Sequence, residues 1–240
     1  MCGTCGCDSS AQTTHDVSRL SPPRTEQRRI QVALNLMAQN DHWAALNRER
    51  IEKAQCQALN LMSSPGSGKT TLLERTLQAL NGSVPLAVIE GDQQTEQDAE
   101  RIRAAGAPAV QINTGKGCHL EAQRVSQALD QLLPAAPRLL FIENVGNLVC
   151  PAGFDLGEQR RVVLLSVTEG DDKPLKYPDI FARADLLLFT KTDLLPYVDF
   201  DRNRCLEFAR RICPGLPALS VSATSGEGLP EWLEWLGQPG

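Results

Sequence analysis

Short apolar runs alternate with amphipathic stretches along most of this chain. The runs at 59–62, 86–89, 109–112, 139–142, 162–166, 186–189 and 218–221 are mainly apolar, with few polar interruptions. Strands have that character when both faces of their sheet are covered. Between the runs, apolar residues recur at helical spacing over 70–80, 94–105, 120–132, a short stretch near 205–212, and 229–236; Leu72, Leu73, Thr76, Leu77 and Leu80 show the period. Strand and helix in alternation predict an α/β fold with a mainly parallel sheet flanked by helices. Ahead of this block, residues 25–55 read as an N-terminal helical segment of one or two helices packing on the domain that follows. Glu26 stands in its first turn, Ile30, Val32, Leu34, Leu36 and Met37 form an apolar side, and Asn40-Asp41 is the expected break. Residues 1–24 have no periodicity, carry Pro22-Pro23 near their end, and read as a disordered, mobile tail. The expected organisation is a tail at 1–24, a helical segment at 25–55 and a nucleotide-binding domain at 56–240.

The join between the first apolar run and the next helical stretch carries the chemistry. Ser63-Ser64-Pro65-Gly66-Ser67-Gly68-Lys69-Thr70-Thr71 is a Gly-rich loop between a strand and a helix, the context of a phosphate-binding P-loop. Gly66 and Gly68 let backbone N–H groups turn onto phosphate oxygens, helped by the partial positive charge of a helix N-terminus. Lys69 reaches the β- and γ-phosphates, and the Thr70 hydroxyl ligates Mg²⁺. Gly66, Ser67, Gly68, Lys69, Thr70 and Thr71 are therefore the candidate phosphate site. Ser63 stands where the G-x-x-x-x-G-K-[ST] pattern has its first glycine.

Further candidates follow later strands. Asp92, in Glu90-Gly91-Asp92, is placed to meet Mg²⁺ or to position the attacking water. Glu143 and Gly146 end an apolar run as E-x-x-G, a Walker-B and switch-II pattern: the carboxylate holds Mg²⁺ through water and the Gly146 N–H senses a γ-phosphate. Thr190-Lys191-Thr192-Asp193 has the form that reads guanine. There the Asp193 carboxylate accepts from N1–H and the exocyclic amine while the Lys191 stem packs along the base. Adenine lacks that donor pair and would leave the carboxylate unpaired. Ser222-Ala223-Thr224 resembles the last guanine element, in which a backbone N–H meets O6. P-loop, E-x-x-G and T-K-x-D in this order predict GTP and GDP as ligands, with Mg²⁺.

Composition narrows the setting. The chain has 240 residues, 42% hydrophobic and 22% charged, enough for a large core. A net charge of −5 gives no reason to expect nucleic-acid binding. No run approaches a membrane span and the N-terminus has no apolar signal region, so the expected location is cytoplasmic, with no membrane partner. The eight cysteines are then expected as free thiols serving metal or redox chemistry. Cys2, Cys5 and Cys7 lie within the first seven residues with glycines between them. They can converge on one soft or borderline ion, Zn²⁺, Cu⁺ or Ni²⁺, with the α-amino group as a fourth ligand. Cys118, His119 and Cys150 form a second set, from a Gly-rich loop and from the segment after E-x-x-G. Thiolate, imidazole and thiolate suit Zn²⁺ or Ni²⁺, with water or a second subunit completing the shell. A metal ligand on switch II would couple metal affinity to the γ-phosphate. Cys205 and Cys213 are expected as core thiols, and His15 and His42 carry no expected role.

These motifs together resemble one family. C-x-x-C-G-C, S-S-P-G-S-G-K-T-T, V-I-E-G-D-Q-Q-T, T-G-K-G-C-H-L, E-N-V-G-N-L-V-C-P, T-E-G-D-D-K-P-L-K-Y-P and S-A-T-S-G-E-G make the chain similar to the HypB family of hydrogenase nickel-incorporation GTPases. That family belongs to the P-loop class that includes UreG and the signal-recognition GTPases. The resemblance implies slow GTP hydrolysis and delivery of Ni²⁺ to the large-subunit precursor of [NiFe]-hydrogenase. It also implies GTP-promoted homodimerisation and cooperation with a HypA-type zinc/nickel accessory protein. It makes Cys2, Cys5 and Cys7 a tight nickel site, and Cys118, His119 and Cys150 a Ni²⁺ or Zn²⁺ site at the subunit contact. It places Lys173 or Lys176 near nucleotide and dimer contact. Two other readings share the P-loop: a urease-type nickel chaperone, and a kinase of small molecules.

Overall fold

The computed structural model describes residues 24–80, 82–91, 97–115 and 117–238. Cys2, Cys5, Cys7 and Asp92 lie outside the described residues. The chain divides into two compact units, residues 1–36 and 37–240. Helix α1 (Arg24–Lys53) runs through that division. The larger unit holds seven strands, β1 (Gln57–Ser63), β2 (Leu86–Glu90), β3 (Ala109–Gln111), β4 (Leu139–Glu143), β5 (Arg160–Ser166), β6 (Leu186–Thr190) and β7 (Ala218–Val221). They form one sheet in the order β3-β2-β4-β1-β5-β6-β7, and every pairing is parallel. Between them run α2 (Lys69–Leu80), α3 (Gln97–Ala104), α4 (Ala122–Leu132), α5 (Lys173–Lys176), α6 (Pro178–Ala182) and α7 (Arg202–Ile212), and α8 (Leu229–Gly237) follows β7.

The mainly apolar character of the strands has its cause in this layering. Successive side chains point to opposite faces, and both faces are buried. Leu59, Leu61, Val88, Phe141 and Leu164 join one cluster with Leu72 and Leu73 of α2, Ile102 of α3 and Trp232 of α8. Ala58, Ala87, Ile89, Leu140 and Ile142 face the other way, onto Val125 and Leu129 of α4 and Ile51 of α1. Val163, Leu165, Leu187 and Phe189 extend that second face onto α6 and α7. The fold is thus the flanked parallel sheet that the alternating pattern implies.

The expected break at Asn40-Asp41 does not occur; one helix spans the stretch. Asparagine disfavours a helix interior because its amide competes for backbone groups. Here the Asn40 amide is engaged elsewhere: Nδ2 donates to Asp155 O at 2.7 Å and Oδ1 accepts from Ala122 N at 2.9 Å. Two short helices, α5 and α6, occupy a segment without helical periodicity. Each has a proline in its first turn, where the missing N–H costs nothing.

Candidate phosphate cavity and metal cluster

β1 ends at Ser63, and the chain turns through Gly66 (φ +72°) and Gly68 (φ +94°) into α2. Both glycines hold left-handed backbone that a β-carbon would strain. The residue that departs from the P-loop pattern is the hub of the loop. Ser63 Oγ accepts from Lys69 Nζ at 2.7 Å and from Ser67 Oγ at 2.5 Å, and donates to Ser64 O at 2.7 Å. Lys69 is 7% exposed. Burial pulls its pKa down, against the opposing pull of Glu143 and Glu90.

The loop opens onto a cavity of about 540 Å³, which Lys69, Thr70, Glu90, Glu143, Gly146 and Lys191 help to line. Parallel register sets Glu90 beside Glu143 at the ends of neighbouring strands. Both are buried, at 1% and 7% exposure. Glu143 Oε1 accepts from Thr70 Oγ1 at 2.9 Å, whereas Glu143 Oε2 and Glu90 Oε1 find no hydrogen-bond partner among the described residues. Burial holds both carboxyl groups above the ordinary carboxylate range, Glu90 further raised by Glu143 and Glu143 opposed by Lys69. A hydroxyl and an orphaned carboxylate oxygen at a phosphate loop are hard oxygen donors, and they fit Mg²⁺.

The segment after β4 lies against the loop. A Cβ on Gly146 would stand 2.8 Å from Pro65 Cα, so only glycine fits there. Lys191, left-handed at φ +59°, donates from Nζ to Gly66 O at 2.7 Å, and its stem passes over Gly68. Thr190 Oγ1 donates to Ser67 O at 2.8 Å, tying β6 to the phosphate loop. Asp193 Oδ1 accepts from Ser222 Oγ at 2.6 Å, and Ser222 Oγ accepts from Ser225 N at 3.0 Å. Asp193, Ser222 and Ala223 follow β6 and β7 and lie outside the cavity wall, whereas Thr71 lines it.

Sheet order also brings the second ligand set together. Cys118 and His119 follow β3, Cys150 follows β4, and β2 alone separates those strands. Their ligand atoms lie within 4.8 Å of one another and are half-buried. The two Sγ atoms are 2.7 Å apart, and Cys118 Sγ lies 3.5 Å from His119 Nδ1. Burial lowers the His119 pKa, favouring the neutral imidazole that metals bind. Asn147 Nδ2 donates to Cys118 O at 3.2 Å, so the segment running from Glu143 to Cys150 grips the other ligand loop directly.

Among the described residues, the remaining thiols pack in or against the core. Cys205 is fully buried and pushed up to about 12, and Cys56 is pushed up to about 11, both by burial. Cys213 is half-buried against the same core as Cys205. Lys173 and Lys176 pair with Glu169 and Asp172 and are not among the residues lining the cavity. Glu90 and Phe154, which the motifs did not single out, stand beside the site residues. Glu90 has a sequence signal, an acid ending an apolar run. Phe154, whose ring stacks on His119, has none.

A parallel sheet with a Gly-rich loop between its central strand and the next helix defines this protein as a P-loop nucleotide-binding protein. Residues 57–220 match the profile of the CobW/HypB/UreG nucleotide-binding domain. The hydrogenase maturation factor HypB of Azotobacter chroococcum mcd 1 is 58% identical over 216 residues, covering 90% of this chain and 71% of that protein. The crystal structure of HypB from Helicobacter pylori in complex with nickel superposes with a TM-score of 0.79 at 42% identity, over 82% of this chain and 93% of that one. That of hydrogenase maturation factor HypB from Archaeoglobus fulgidus gives 0.77 at 41%, over 83% and 97%. The chain belongs to the CobW/HypB/UreG family, among its HypB members.

Proposed function

We propose that this chain is a nickel metallochaperone that binds and hydrolyses GTP and delivers Ni²⁺ to the [NiFe]-hydrogenase large subunit during maturation. One observation carries the reading: Glu143, Gly146 and Cys150 stand on a single segment that touches the phosphate loop at one end and the thiol–imidazole cluster at the other. The likeness to a HypB solved with nickel supports it.

In this reading the N–H groups of Gly66, Ser67, Gly68 and Thr71 cradle the phosphates, and Lys69 moves from Ser63 onto the β- and γ-oxygens. Thr70 and Glu143 would hold Mg²⁺, which would screen phosphate charge, and Asp92 would meet Mg²⁺ or position the attacking water. Water attacks the γ-phosphorus, GDP leaves, and the water proton passes to phosphate. Lys191, Asp193, Ser222 and Ala223 read guanine. A γ-phosphate meeting the Gly146 N–H would shift the segment that carries Asn147 and Cys150, and so alter the grip on Ni²⁺ or Zn²⁺ at Cys118, His119 and Cys150. Cys2, Cys5 and Cys7 hold a second ion, a HypA-type protein cooperates in delivering nickel to the precursor subunit, and GTP promotes a homodimer. Free thiols of this kind suit the reducing cytoplasm.

The test uses the full chain. Nickel affinity is measured with GDP and with a non-hydrolysable GTP analogue, and fluorescent GDP is displaced with GTP or ATP. A nucleotide-dependent affinity and displacement by GTP alone are expected. Displacement by ATP as effective as by GTP would overturn the guanine assignment, and equal nickel affinity in both states would overturn the coupling.

A further inference from the structure

We infer that Phe154 is a positioning residue for the metal cluster: its ring, stacked on the His119 imidazole, holds that ring in the pose in which Nδ1 lies beside Cys118 Sγ. The inference rests on reading Cys118, His119 and Cys150 as a metal site. Cys118 and His119 are chain neighbours on an irregular loop, and two neighbours meet one ion only if the imidazole is held in one orientation. The holder is visible. The Phe154 ring lies 3.8 Å from the His119 ring, centroid to centroid, with 25° between their planes. In that pose His119 Nδ1 is 3.5 Å from Cys118 Sγ.

Phe154 is itself fixed. It caps the short 3₁₀ helix Cys150–Gly153, its N–H donating to Pro151 O at 3.3 Å. The following residue, Asp155, accepts from Arg48 Nη2 at 2.7 and 2.8 Å and from Gly157 N at 2.8 Å. Asn40, on the same helix as Arg48, bridges Asp155 O and Ala122 N. Buried Asn47 bridges Ala122 O and Leu156 O, at 2.8 and 3.0 Å. The segments bearing His119 and Phe154 are thus clamped to one helix, and the ring stack closes the gap between them. Held in place by aromatic contact on its face, the imidazole is preorganised for binding.

The experiment uses the full chain with Cys2, Cys5 and Cys7 changed to Ser, loaded with Zn²⁺. ¹⁵N imidazole NMR reads the coordinating nitrogen, and competition with a chelator reads affinity. Nδ1 coordination is expected. Phe154→Tyr should keep both the tautomer and the affinity, because it keeps the ring. Phe154→Leu fills similar space without a stack, and should give a mixture of coordinating nitrogens with roughly 2- to 10-fold weaker binding. Coordination through Nε2 in the parent protein would overturn the inference whatever the variants do. So would Phe154→Leu matching the parent in both readouts. Zn²⁺ affinity unchanged by Cys118→Ser and by Cys150→Ser would instead overturn the cluster itself, and the inference with it.

Discussion

Gly146 is packed so tightly on Pro65 that a β-carbon would lie 2.8 Å from the proline Cα and 3.0 Å from its nitrogen. These are backbone atoms of the phosphate loop, which cannot swing aside as a side-chain tip can. Gly146→Ala should therefore push the loop and the segment after β4 apart, at a cost of about 1–3 kcal/mol. The expected outcome is nucleotide affinity weakened by about tenfold or more and a lower melting temperature. Fluorescent-GDP titration and thermal unfolding check it.

Glu90 gives a pH prediction. Burial, then neighbouring Glu143, raises its pKa from an ordinary 4.5. Above that ordinary value the folded chain keeps a proton that the unfolded chain releases, so this group's contribution to stability falls as pH rises. The slope is at most about 1.4 kcal/mol per pH unit for one proton. Glu90→Gln keeps the shape and removes the titration. The nucleotide-free variant should be more stable than the parent at pH 8, with the difference shrinking toward pH 5. Urea unfolding at several pH values measures it.

Cys150 is the thiol of the cluster carried by the segment that starts at Glu143, and is the proposed metal ligand there. Replacing it by alanine removes one thiolate and, with it, the direct link between that segment and the ion. Cys150→Ala should bind metal at the cluster more weakly, with the same affinity in GDP and in a GTP analogue. Calorimetric Ni²⁺ or Zn²⁺ titration in both nucleotide states decides it.

Lys69 is the buried cation facing Glu143 and Glu90. Lys69→Ala should lower GTP turnover by at least about 100-fold, the scale seen when a preorganised charge donor is lost. Nickel binding by Cys2, Cys5 and Cys7 should be unchanged. Phosphate release and metal stoichiometry on the full chain read the two effects separately.

Much of the architecture could be read from local pattern. A strand covered on both sides is mainly apolar, so runs such as 139–142 point to a parallel sheet. The Gly-rich loop declared its ligand for an equally local reason: left-handed backbone at Gly66 and Gly68 requires glycine. Asn40 misled because its intrinsic dislike of a helix is small beside two tertiary hydrogen bonds.

Local chemistry therefore determined the strands, the phosphate loop, and which residue types could bind guanine or a soft metal. Tertiary structure alone decided who meets whom. Strand order laid the Cys118 loop within reach of Cys150, and register set Glu90 beside Glu143. Folding also turned Ser63, a departure from the motif, into the anchor of Lys69. Such contacts join residues distant along the chain, and periodicity, which reports only a residue's near neighbours, carries no record of them.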